Sequence, residues 1–298
     1  MAKQSVLVVG GDSVIGSSLF HRLTQTGFQA AATTRRHTVT RKNSIYLDLG
    51  VPASFENILG YHYDYAVLCG AVTSLKTCEE NPQQTRRINV DGTIALADLL
   101  AQEGSRLIFV STNMVFDGSK PFAKASDAIN PITEYGRQKA LVEEYLLRPF
   151  AKAAVIRFGK VISPRFPLFV DWIAKLRAGE KIYPHANKKF APITLSLATE
   201  ILCWLIGTKM TGLFQFTASY DITYAMAAQR FAQLTRSDPF LIETLGQPCT
   251  DSVTEQSTLL SPFTTLEVSH DLSRSFYAPS PHEVVEYVLS CSTSETLR

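Results

Sequence analysis

Apolar and β-branched residues come in short, nearly unbroken runs through the first half of the chain, near 5–9, 28–34, 44–48, 64–69, 106–112 and 153–158. A run of that length without polar alternation predicts a strand buried on both faces. Between the runs the apolar positions are spaced helically, as with Leu19 and Leu23, or with Ile88, Ile94, Leu96, Leu99 and Leu100. Helices are therefore expected near 14–26, 84–103 and 134–148. Strand alternating with helix, without repeats or a low-complexity linker, predicts an α/β protein built on a doubly wound parallel sheet. After Gly159 the pattern changes. Pro164, Phe166, Pro167, Phe169 and Trp172 crowd ahead of a helix ending near Ala178, the expected start of a smaller lobe.

The turn after the first run carries the first chemical signal. Ser5-Val6-Leu7-Val8-Val9 leads into Gly10-Gly11-Asp12-Ser13-Val14-Ile15-Gly16 and then into a helix. Glycines at a strand-to-helix turn let the backbone approach a pyrophosphate, and the helix amino terminus attracts its charge. This outlines a Rossmann-type dinucleotide site made by Gly10, Asp12, Ser13, Val14, Ile15 and Gly16. A tight turn without a ligand would use the same residues, but strand, turn and helix stand in the order that a dinucleotide needs. Ser13 occupies the middle glycine position of a G-x-x-G-x-x-G spacing, and Asp12 puts a carboxylate near where phosphates should lie. The second run ends in Arg35-Arg36. An acid there would accept hydrogen bonds from a ribose hydroxyl, whereas arginine pairs with a 2′-phosphate, which favours NADP(H) over NAD(H). A solvated basic loop is the alternative. Asp48 and Leu49 close the third run on the cofactor side, with Asp48 the expected partner of the adenine amine.

A second signal follows the fifth run. Leu107-Ile108-Phe109-Val110 ends in the hydroxyls of Ser111 and Thr112, then Asn113 and Met114, and the next helical stretch carries Tyr135-Gly136-Arg137-Gln138-Lys139. Residues four apart share a helix face, so the Lys139 ammonium can sit beside the Tyr135 phenol. A phenol ionises near about pH 10, and a neighbouring positive charge favours phenolate, so Tyr135 is expected to have a lowered pKa and to exchange protons with a substrate oxygen. Thr112 supplies the hydroxyl to hold that oxygen. Tyrosine and lysine at this spacing often merely decorate a helix. The strand end before this pair sets it apart, because chemistry in open parallel sheets gathers at the carboxyl ends of strands.

Composition narrows the remaining classes. A chain of 298 residues with 45% hydrophobic content can bury a full core. Its formal charge of +2 gives no electrostatic footprint for nucleic acid. The apolar run near the start is too short to span a bilayer and does not resemble a secretory signal, so no membrane association and a cytoplasmic location are expected. The five cysteines, Cys69, Cys78, Cys203, Cys249 and Cys291, include no Cys-x-x-Cys pair and are expected as reduced thiols, Cys69 filling space near the cofactor. His21, His37, His62, His185, His270 and His282 show no ligand spacing, so no metal is expected.

The glycine turn is collinear with Cys69-Gly70-Ala71-Val72-Thr73, Arg87-Ile88-Asn89-Val90-Asp91-Gly92-Thr93, Ser111 to Gly118 and the Tyr135 pentad. Together they resemble the extended short-chain dehydrogenase/reductases, and within them the dTDP-4-dehydrorhamnose reductase branch; Arg157-Phe158-Gly159 and Gly212-Leu213-Phe214-Gln215-Phe216 are weaker matches. The resemblance implies that Tyr135 is the general acid, that Lys139 holds the nicotinamide ribose and lowers the tyrosine pKa, and that Thr112 hydrogen-bonds the reacting oxygen. Asn89 would steady the backbone near the site; Cys69, Gly70, Ala71 and Ser111 would line the cofactor, with Phe158 close to the nicotinamide. Thr73, Asn113 and Met114 are the implied substrate contacts; Lys160 and Arg165 are candidate diphosphate contacts, with a scattered basic face as the alternative. An NADP-binding body of 1–160 plus about 195–220 and a small C-terminal substrate lobe of about 161–194 plus 221–298 follow from the same likeness. So does a homodimer through the helices at 84–103 and 134–148. The implied activity is NADPH-dependent reduction of a nucleotide-activated 4-keto sugar. The segment after the sixth run lacks the tryptophan-containing form of that branch and carries Lys160 instead, which bears on the sugar more than on the fold. Epimerisation, reduction of another carbonyl compound, and a non-catalytic role like that of the regulatory subunit of methionine adenosyltransferase remain open on the same scaffold.

Overall fold

A computed structural model describes residues 3–36, 43–149, 152–246 and 263–294; His37 and Cys249 lie outside them. The first half of the chain forms β1 (Ser5–Val9), α1 (Val14–Gln25), β2 (Gln29–Thr34), β3 (Ser44–Tyr46), β4 (Tyr65–Leu68), α2 (Leu75–Glu80), α3 (Pro82–Arg86), α4 (Thr93–Gln102), β5 (Arg106–Thr112), α5 (Glu134–Leu146) and β6 (Ala153–Phe158). There follow β7 (Lys160–Ile162), α6 (Pro167–Arg177), β8 (Lys189–Phe190), β9 (Pro192–Thr194), α7 (Leu195–Thr208), β10 (Gly212–Phe216), β11 (Ile222–Thr223), α8 (Tyr224–Thr235), α9 (His270–Ser273) and α10 (Pro281–Ser294).

Seven strands make one sheet in the order β10-β6-β5-β4-β1-β2-β3. The β1–β2, β1–β4, β2–β3 and β4–β5 pairings are parallel. Strands β4, β5 and β6 are buried along almost their whole length, as their unbroken apolar runs require. The winding changes direction between β1 and β4, and such a switch opens a crevice at the carboxyl ends of the two strands.

One expected element is broken. The stretch expected as a single helix over 84–103 is α3, then a π-helical turn over Arg87–Gly92, then α4. The cause is Asn89. Its amide accepts from the Val72 N–H at 2.7 Å and donates to the Val72 carbonyl at 2.9 Å, and widening the helix by one residue brings that side chain to the loop after β4. The third strand is also shorter than the run that suggested it, because the Asp48 carboxylate turns back to accept from the Gly50 N–H at 2.8 Å.

The chain divides into two compact units. The first holds the described residues up to Val115, Ile129–Arg157 and Ser196–Phe214; its core includes Leu7, Val9, Leu68, Leu96, Phe109, Val142 and Val155. The second holds Phe116–Ala128, Phe158–Leu195 and the described residues from Gln215 onward. Its core centres on Phe169, whose ring lies 5.7 Å from Trp172, 6.1 Å from Phe190 and 5.1 Å from Phe231. Gln215 donates to the Ala123 carbonyl at 2.9 Å and to the Glu267 carbonyl at 3.2 Å, joining three distant stretches of sequence within this unit.

Candidate active site

All residues that form the crevice belong to the first unit. Gly10 has φ +82°, and a Cβ there would lie 2.5 Å from the Gly70 Cα, so the backbones at the ends of β1 and β4 touch and only glycine fits. Ser13, at the missing glycine position, has φ −75° and ψ 159°, ordinary extended backbone in which a side chain costs nothing. Its hydroxyl caps α1 by accepting from the Gly16 N–H at 3.0 Å. The N–H groups of Val14 and Ile15, in the first turn of α1, have no carbonyl partner within the helix and are suited to an anion. The Asp12 carboxylate accepts from the Thr34 hydroxyl, which itself accepts from the Arg36 N–H at 3.1 Å. The carboxylate expected near the phosphates is therefore held against the end of β2. The Arg35 and Arg36 side chains are exposed and form no ion pair among the described residues. This cradle of touching glycines, a helix amino terminus and two exposed guanidinium groups fits a dinucleotide.

Helix α5 begins at Thr133, whose hydroxyl accepts from the Gly136 N–H at 3.1 Å. A Cβ on Gly136 would lie 2.2 Å from the Met114 carbonyl oxygen, so the helix rests directly on the backbone of the turn Asn113–Val115 that follows β5. That contact brings Tyr135 and Lys139 to the strand end bearing Thr112. The Lys139 ammonium is buried, donates to the Val110 carbonyl at 2.8 Å, and lies 4.3 Å from the Phe109 ring centre and 5.9 Å from that of Tyr135. Burial lowers its pKa to about 8, against the opposing effect of Cys69 and Glu143. Thr112 is nearly buried; its hydroxyl accepts from the Met114 N–H at 3.2 Å.

Tyr135 departs from expectation. Desolvation of the phenol raises its pKa, with Cys78 a smaller contribution in the same direction, so it is a firmly protonated donor and not a group poised to become phenolate. Lys139 is the member of the pair whose titration falls near neutral pH. Several residues expected beside the cofactor are engaged within the protein. Leu49 is a core residue. Asn89 has both amide hydrogens engaged, one with Val72 and one with Gln138 Oε1 at 2.8 Å, and acts as a clamp. The Ser111 hydroxyl donates to Glu143 and is not open to a ligand. The Phe158 ring is fully enclosed by protein. Cys69, Gly70 and Ala71 lie partly exposed after β4, the Cys69 thiol raised to about 12 by burial.

Among the substrate candidates, Thr73 is exposed ahead of α2, and Asn113 and Met114 are partly exposed in the turn after β5. Lys160 and Arg165 are exposed and belong to the second unit, with the Lys160 ammonium 5.2 Å from the Phe166 ring centre. The sequence reading missed Glu143. It is buried and ion-paired with Arg157, and it stands one turn beyond Lys139 on the face shared by Tyr135. A carboxylate at the next i+4 step from the lysine of the Tyr-x-x-x-Lys pair is the signal that was available. Among the described residues, no group of His, Cys, Asp or Glu is placed to hold a metal, and no helix is long and apolar enough to cross a membrane.

A doubly wound sheet with a glycine crevice at its switch point, and a Tyr-x-x-x-Lys helix against a strand ending in threonine, is the layout of an extended short-chain dehydrogenase/reductase. The chain belongs to the RmlD substrate binding domain family, whose model matches residues 4–283. It is 31% identical over 166 residues to dTDP-4-dehydrorhamnose reductase of Mycobacterium tuberculosis, covering 54% of this chain and 51% of that protein. It is 28% identical over 152 residues to methionine adenosyltransferase 2 subunit beta of Bos taurus, covering 51% of this chain and 45% of that one. The chain thus spans about half the length of these curated relatives. The fold is shared with dTDP-4-dehydrorhamnose reductase of Bacillus anthracis, solved in complex with NADP: TM-score 0.80, 17% identity, 97% of this chain and 98% of that one.

Proposed function

We propose that this chain is an NADPH-dependent reductase of a nucleotide-activated 4-keto sugar. The observation that carries the reading is the seat of α5 on the turn after β5, which sets the buried Lys139 ammonium on the Val110 carbonyl, two residues before Thr112, and 5.9 Å from the ring of the protonated Tyr135. Bound NADPH supplies hydride to the carbonyl carbon. Tyr135 donates its phenolic proton to the carbonyl oxygen as charge grows there, and the Thr112 hydroxyl hydrogen-bonds the same oxygen. The Lys139 ammonium stabilises that charge and holds the nicotinamide ribose. Gly10, Ser13, Val14, Ile15, Gly16, Gly70 and Ala71 form the pyrophosphate and nicotinamide cradle. Arg35 and Arg36 bind the 2′-phosphate and set the preference for NADP(H). Thr73, Asn113 and Met114 touch the sugar. The reductase relative and the NADP complex of the structural neighbour support this reading.

The test is calorimetric titration with NADPH and NADH, followed by nucleotide 4-keto sugars under nicotinamide absorbance. NADPH binding tighter than NADH by about tenfold or more, with oxidation on one sugar, is expected. Tight binding without turnover on any sugar would contradict the reaction. Equal affinity for the two cofactors would contradict the arginine assignment.

A further inference from the structure

One turn beyond Lys139 on α5 lies a buried carboxylate that the chemistry above does not use. The Glu143 side chain is 2% exposed and that of its partner Arg157 is 4% exposed. Arg157 Nε donates to both Glu143 oxygens at 3.0 Å and Nη2 to one of them at 2.6 Å, while the Ser111 hydroxyl donates from the other side. Helix α5 therefore grips β5 at two successive residues, through Lys139 on the Val110 carbonyl and through Glu143 on the Ser111 hydroxyl. The next residue is Thr112. A buried ion pair is a poor device for stability alone, since replacing both partners with apolar residues of similar size is often neutral or stabilising.

We propose that Glu143 is a positioning residue of the reductase site: its carboxylate, held between Ser111 of β5 and Arg157 of β6 one helical turn beyond Lys139, sets Thr112 in register with Tyr135. The groups facing Lys139 are Cys69 after β4, Phe109 and Val110 on β5, and Tyr135 and Glu143 on α5, with Arg157 of β6 behind Glu143. The Cys69 thiol, raised to about 12, and the Tyr135 phenol, also raised, are neutral in the working range. Glu143 is thus the one anion among them, opposing the burial that lowers Lys139 to about 8.

The kinetic part rests on the reductase reading, so the test has a readout that needs no substrate. Glu143→Gln removes the negative charge beside the buried Arg157 guanidinium and can unfold the protein, so it is paired with Glu143→Leu/Arg157→Met, which removes both charges. Lysine side chains labelled with carbon-13 are titrated by NMR, with Lys139 assigned from Lys139→Arg. In folded Glu143→Gln the Lys139 midpoint should fall by roughly one pH unit, and in the double variant, which also removes the Arg157 cation, it should fall by less. Turnover near neutral pH should drop about tenfold with KM for NADPH little changed. An unchanged Lys139 midpoint and kcat in a folded double variant would overturn the proposal, and failure of both variants to fold would assign the pair to stability and overturn it too. If the unmodified protein reduces no sugar, the reductase reading fails while the Lys139 midpoint still decides the electrostatic role of Glu143.

Discussion

Tyr135 and Lys139 divide their work differently from what their spacing alone implies. Four residues apart on a helix is enough to place them together, and that much was legible in the sequence. The direction of their proton equilibria was not, because it depends on burial, which a linear spacing does not record. Dry surroundings raise the phenol and lower the ammonium from 10.5 to about 8. The sign follows directly. Lys139 is cationic below that value and neutral above it, and the proposed chemistry uses the cation, so kcat/KM should fall as pH rises through about 8. Tyr135 stays protonated across the same range and adds no limb below it. A pH–rate profile that is flat from about pH 7 to about pH 9.5 would remove Lys139 from the proposed role. Glu143 and Arg157 were harder to read for another reason: the carboxylate and guanidinium sit on α5 and β6, and nothing in the sequence shows that they meet. The roles proposed for Asp12 and Ser13 depend on local geometry of the same kind, a threonine on the next strand and an extended φ.

At the scale of elements, the alternation of apolar runs and helical stretches was enough to locate six strands of the sheet and the helices α1 and α5. The break between α3 and α4 was not legible. It arises from a contact between Asn89 and the distant backbone of Val72, and intrinsic preference is overridden there by packing. The seat of α5 is likewise a backbone contact. The carbonyl of Met114 occupies the space where a side chain on Gly136 would go, at 2.2 Å. Gly136→Ala should push the start of α5 off the turn after β5, costing about 1–3 kcal/mol of stability. It should also lower kcat by separating Tyr135 from Thr112. Denaturant unfolding and steady-state kinetics on the same preparation check this, and full stability with full activity would show that the helix is not seated as described.

For the whole molecule, the sheet order places β1 and β4 side by side with their glycine ends in contact, and the family assignment covers residues 4–283. The second unit was less legible, because Ala123, Gln215 and Glu267 join through hydrogen bonds among stretches far apart in sequence. Aromatic content after Gly159 signalled a change of composition but not the packing of Phe169 against Trp172, Phe190 and Phe231. The central claim is that the chain reduces a carbonyl by handing it a proton from Tyr135. Its most direct test is the turnover of Tyr135→Phe on the nucleotide sugar that the unmodified protein reduces, with NADPH binding measured on the same sample. Turnover should fall by about two to four orders of magnitude while NADPH affinity stays close to that of the unmodified protein. A rate equal to that of the unmodified protein would contradict the account.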